Sequence, residues 1–87
     1  MTYQVIWTEQ ALAELNEIWD TAFDKEGIEN TATRIDIELT YRPLEAGESR
    51  RPGTRVLVKQ PLVVYFQVHS RLPEVLVVRV RCPRHQN

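Results

Sequence analysis

Basic residues are scarce in the first half of the chain: from Met1 to Ser49 only Lys25, Arg34 and Arg42 stand against eleven acidic residues. Cysteine is scarce throughout. Cys82 has no partner for an internal disulfide or a cysteine-based zinc site, and reads as a small core or strand-end hydrophobe. No apolar run approaches the roughly 20 residues that a bilayer span requires, so no membrane partner is expected. The opening MTYQVIWTEQ lacks the basic region and continuous apolar stretch of a secretion signal, so a cytoplasmic location is expected. There is also no glycine-rich phosphate loop, no Ser-His-Asp grouping and no metal-ligand cluster, so no cofactor is expected.

What remains is one small domain spanning residues 1–87. With 43% apolar and 26% charged residues the composition is that of an ordinary globule, neither disordered nor membrane-embedded. A chain of this size buries only roughly 60 to 65% of its unfolded surface, enough for one core. Its charge is divided along its length. The net charge is −8 up to Ser49 and +7 from Arg50 onward, where eight basic residues face Glu74 alone; the two sum to the overall −1. Such a split points to a nucleic-acid or acidic protein partner, or to acidic helices that complement a basic sheet within one fold.

Thr2 to Trp7 alternates and reads as a first strand, with Tyr3, Val5 and Trp7 on one face. Thr8 is placed to cap a helix over about Glu9 to Lys25, whose Ala11, Leu12, Leu15, Ile18, Trp19, Ala22 and Phe23 form one apolar stripe. Glu14, Glu17, Asp20 and Asp24 take its solvent side. Gly27 suits the left-handed position closing that helix. A second helix, about Ile28 to Tyr41, buries Ile28, Ala32, Ile35 and Leu39 and stops at Arg42, before Pro43. Residues 43–53, with two prolines and two glycines, read as a loop long enough to carry function.

From Thr54 to Cys82 the pattern is three strands with turns at Gln60-Pro61 and at Ser70 to Pro73. Period-two alternation predicts one oily face of Val56, Val58, Leu62, Val64, Phe66, Val68, Leu76, Val78 and Val80. The other face then carries Arg55, Leu57, Lys59, Val63, Tyr65, Gln67, Val75, Val77, Arg79 and Arg81, and its cations and aromatic suit a ligand with phosphates. The predicted class is α+β in the order β-α-α-β-β-β, a helical hairpin packed on one face of a mainly antiparallel sheet.

In its order of elements, and in YQVIWTEQALAELNEIW, the Pro43 loop with GESRRPGTRVL, and PLVVYFQV followed by EVLVVRVR, the chain resembles the RelE/ParE superfamily over almost its whole length. These are the toxins of type II toxin-antitoxin systems. The resemblance implies a toxin held inactive by a cognate antitoxin, acting as a ribosome-dependent messenger RNA endonuclease or as a DNA gyrase poison. A degenerate module that only binds an antitoxin is the third possibility. If the chain is an enzyme, the resemblance makes it a metal-independent endoribonuclease. Arg55 and Lys59 match the basic strand of the nuclease branch, and Arg79, Arg81, Arg84 and His85 its C-terminal set. Val63 stands where that branch carries an arginine.

Cleavage through attack of a 2′-hydroxyl needs a base, an acid and cations for the phosphorane charge. The candidates are Arg55 and Arg79 for bidentate phosphate contacts with Arg81 assisting, and His85 as acid or base. Glu48, beside Arg50 and Arg51, is the carboxylate for a base or for orienting an arginine. Tyr65 offers a ring for base stacking, with Arg50, Arg51, Lys59, Arg81 and Arg84 available to bind nucleic acid or partner.

Overall fold

The computed structural model describes residues 2–83. Seven elements follow in order: β1 (Gln4–Trp7), α1 (Glu9–Thr21), α2 (Lys25–Tyr41), β2 (Glu48–Arg51), β3 (Thr54–Lys59), β4 (Leu62–His69) and β5 (Glu74–Arg81). The five strands form one sheet in the order β1-β5-β4-β3-β2. β2 to β5 make an antiparallel meander, while β1 joins β5 in parallel. The α+β class with a helical hairpin on a mainly antiparallel sheet is as expected; β2 is an additional strand in a stretch read as loop. No helix among the described residues is long and apolar enough to cross a membrane.

Thr8 caps α1 as its position implies, its hydroxyl accepting from the Ala11 amide at 3.2 Å. The helix stops earlier than its apolar stripe, at Thr21, with Ala22 extended. Lys25 explains the stop. Its ammonium donates to the carbonyls of Trp19 (2.8 Å) and Asp20 (2.9 Å) and lies 4.7 Å from the Trp19 ring centre. It therefore satisfies carbonyls that the helix end leaves open. Gly27 does not close α1. It lies in the first turn of α2, where its amide donates to the capping carboxylate of Asp24 at 2.9 Å. The Trp19 indole then donates to Glu29 at 2.8 Å and ties the two helices together.

The helices cover one side of the sheet. Ala11, Ile28, Ile35 and Leu39 are buried in a single cluster with Leu57, Leu62, Val64, Phe66, Val75, Val77 and Val80. Tyr3, Val5 and Trp7 pack against it as expected, and the Trp7 indole donates to Asp36 of α2 at 3.0 Å. Leu12 and Phe23, placed in the apolar stripe of α1 by spacing alone, are exposed.

Two of the strands present the opposite faces from those expected. In the turn after β3, Lys59 pairs with Leu62, so directly opposed residues share a face and the odd-even sense reverses across the turn. Arg55, Leu57 and Lys59 consequently lie on the helix side, with Val56 and Val58 on the other. The same reversal at the His69–Glu74 pair turns Val75 and Val77 into the core. Val78 is then the extra residue of a bulge, since Tyr65 pairs with Arg79 and Phe66 with Val77. The bulge restores the predicted sense for Arg79, Val80 and Arg81.

Gly47 enters β2 in the left-handed region, φ 65°. A methyl group there would run into the carbonyl oxygen of Val56, whereas at Gly53, φ 83°, it would meet nothing. Gly47→Ala is therefore expected to cost about 2 to 4 kcal/mol, strain and clash together, and Gly53→Ala about 1 kcal/mol. Urea midpoints of the two variants measure the difference, and equal shifts would exclude the close approach.

Candidate nucleic-acid interface

The side of the sheet away from the helices is built in rows, because residues opposed across strands share a face. One row runs Arg79, Tyr65, Val56, Glu48 across β5, β4, β3 and β2; the next runs Arg81, Val63, Val58. Between them lies an open groove of about 430 Å³. Its floor is Val56, Val58, Val63 and the Tyr65 ring. Arg50 stands on one wall and Arg81 on the other, with Cys82 and Pro83 at the end. Val58 is 58% exposed while Val56 is buried, so the floor is apolar and opens to solvent chiefly at Val58. Arg50 is the unpaired residue where the β2–β3 register shifts between Ser49 and Arg51, a position that turns its side chain out of the ladder. Neither Arg50 nor Arg81 has an ion pair among the described residues.

The expected site residues divide into three groups. Arg50, Tyr65 and Arg81 come together in the groove, with Arg79 beside Tyr65 in the next strand. Arg51 is exposed on β2, opposite Thr54. Arg55 and Lys59 are not on this face. Arg55 donates to the carbonyls of Ala46 at 3.2 Å and Gly47 at 3.3 Å, which fastens the segment before β2 beneath the sheet. Lys59 pairs with Glu38 of α2 at 2.9 Å. Glu48 shares the row of Arg79, but three strand spacings separate their backbones by roughly 14 Å. Arg84 and His85 lie outside the described residues.

One residue of this surface escaped the sequence pattern. Glu14 is not a solvent-side helix carboxylate. One oxygen accepts from Nε of Arg79 at 2.8 Å and the other from the Val80 amide at 2.8 Å. The contact exists because β1 pairs only with Glu74 to Val77, leaving the outer edge of β5 beyond Val77 for α1 to cover. Burial would raise the Glu14 carboxyl, but the Val80 amide, Arg79 and Gln10 outweigh it and hold the group below its ordinary 4.5.

No protein-family model matches the chain, and no curated protein matches its sequence. Its three-dimensional structure has clear counterparts. A chain of the RelBE2 toxin-antitoxin complex from Mycobacterium tuberculosis superposes with TM-score 0.78 at 19% identity, over 94% of this chain and 92% of that one. The chain has the RelE/ParE fold. A chain of the chromosomal ParDE system of P. aeruginosa gives TM-score 0.73 at 22% identity, over 92% and 95%. A conserved hypothetical protein of Helicobacter pylori gives TM-score 0.61 at 13% identity, over 98% and 99%. The RelE/ParE fold is thus present with little of the sequence of these structures.

The depressed Glu14 pKa fixes the sign of a pH effect. The group's contribution to stability is complete above its ordinary value and is lost as pH falls through the lower, folded-state value. Glu14→Gln should be less stable than wild type by about 1 kcal/mol at pH 7. That gap should close toward pH 3, and denaturation curves showing an equal gap at pH 7 and pH 3 would contradict the assignment.

Proposed function

We propose that the chain is the toxin of a type II toxin-antitoxin system and arrests growth by cleaving messenger RNA on the ribosome. The observation that carries this reading is the uncovered face itself. On a RelE/ParE fold, Tyr65 lies between Arg79 and an apolar floor, with Arg50 and Arg81 free to meet phosphates on either side. A base can stack on the Tyr65 ring while guanidinium groups hold the backbone. Cleavage proceeds by attack of the 2′-oxygen on the adjacent phosphorus while the P–O5′ bond breaks, giving a 2′,3′-cyclic phosphate and a 5′-hydroxyl. The 2′-proton passes to water and the 5′-oxygen takes one up, with Arg79 and Arg81 stabilising the developing negative charge. This route calls for no metal or cofactor.

The partner is an antitoxin. The groove, apolar below and basic at its walls, suits an acidic segment whose apolar side chains fill the floor, and occupation of the face by such a segment blocks nucleic acid. This favours inhibition by direct competition.

A specific feature favours a second reading, a DNA gyrase poison without enzymatic activity. The middle of the groove is Val58 and Val63, so its centre offers no charge to a phosphorane, and Glu48 and Arg79 sit at opposite margins. Purified protein in a reconstituted translation system separates the two. New cuts in the translated message are expected, reduced about tenfold or more by Arg81→Ala and by Tyr65→Ala. An intact message together with blocked supercoiling would establish the gyrase reading. Unchanged cell growth on expression without a partner would remove both in favour of a module that only binds its antitoxin.

A further inference from the structure

We propose that Glu14 is a positioning residue for Arg79, setting the guanidinium so that its two terminal amino groups present their outer edge to a phosphodiester at the β5 side of the open face. The inference rests on the reading of that face as a nucleic-acid surface. Arg79 has five N–H donors in a planar fork. Nε is taken by Glu14 at 2.8 Å, and no described residue accepts from the terminal amino groups. Fixing Nε from one side removes the rotation about the long side chain that a free arginine keeps, and leaves the remaining edge with the geometry that suits two phosphate oxygens.

The carboxylate can do this because it is itself held. Its second oxygen receives the Val80 amide at 2.8 Å, so Glu14 is anchored to the backbone of the residue beside the one it orients. Its side chain is 21% exposed against 39% for Arg79, so the anchored partner is the more enclosed and the oriented one reaches solvent. The register places Arg79 directly across from Tyr65. Arg79 is therefore the β5 neighbour of the ring on which a nucleotide would stack.

Two roles of Glu14 make opposite predictions. As a mere neighbouring negative charge it repels a polyanion, and its removal strengthens binding. As a positioning group its removal weakens binding. Glu14→Gln keeps an oxygen for the Val80 amide while its amide nitrogen cannot accept from Nε, so the strand edge stays capped while the hold on Arg79 is lost together with the long, exposed contact from Gln10 at 3.4 Å. The experiment measures binding of a fluorescent six-nucleotide single-stranded RNA to wild type, E14Q, R79A and the double variant, each first shown to be folded by its thermal midpoint. Arg79→Ala should weaken binding about tenfold and Glu14→Gln about fivefold. In the R79A background, E14Q should weaken it no further.

Unchanged or tighter binding by E14Q, or the same fivefold loss with and without Arg79, would overturn the positioning role while leaving the nucleic-acid reading intact. A wild-type protein that does not bind the RNA would overturn both.

Discussion

The outer edge of β5 is the constraint on which the arrangement depends. β5 is paired along its length by β4, but β1 is four residues long and covers only half of the other side. An open half-strand in the second position of a sheet is an invitation to further pairing. The chain closes it with α1. The ladder is carried past β1 by the Thr8 amide, which donates to the Val77 carbonyl at 3.0 Å, and then by Glu14 at Val80. The residue that caps α1 and the residue that seals the edge are therefore both set by where β1 ends. That placement brings Ala11 into the core and a carboxylate to the margin of the open face.

The helices were legible because local chemistry specifies them: a cap at Thr8, an apolar stripe in each, and Arg42 before Pro43; the Asp24 cap of α2 was not among these signals. The limits of α1 were less so. Lys25, an unremarkable basic residue in sequence, ends it by reaching back to three carbonyls. In the sheet, β4 was read with its correct faces and β3 with the opposite ones. Alternation gives the period but not the sense, and the sense depends on how many residues each turn contains. The bulge at Val78 adds a third reversal, one that made Arg79 and Arg81 correct for a reason the pattern does not contain. Glu48 to Arg51 shows no alternation because it is exposed throughout; only pairing with β3 makes it a strand.

These reversals redistribute the cations. With Arg55 and Lys59 on the helix side, the open face loses two of its expected charges and gains Val56 and Val58. Lys59 becomes part of the bond between sheet and α2, and Arg55 part of the support for β2. The division of charge along the chain thus serves two ends: some basic residues of the second half neutralise or anchor the first, and Arg50, Arg51 and Arg81 are left outward. A surface with an apolar centre and cationic margins binds through desolvation at its middle and electrostatic attraction at its rim. That division of labour fits a ligand with flat bases and a charged backbone, and equally an antitoxin segment with an apolar face and acidic flanks.

Under the proposed function, competition between two such ligands for one face needs no conformational change. The same conclusion gives meaning to the position of Arg79. It lies outside the groove proper, pulled toward α1 by Glu14, so a segment that fills the floor between Arg50 and Arg81 need not touch it. A nucleic acid stacked on Tyr65 does reach it, because its charge is distributed along the backbone and not confined to one patch. On the proposed nucleic-acid reading, Arg79 is the residue that separates the two occupants, adding to the affinity for nucleic acid and little to that for a peptide lying across the apolar floor. On that reading the helix edge that seals β5 also bears on which ligand the open face prefers.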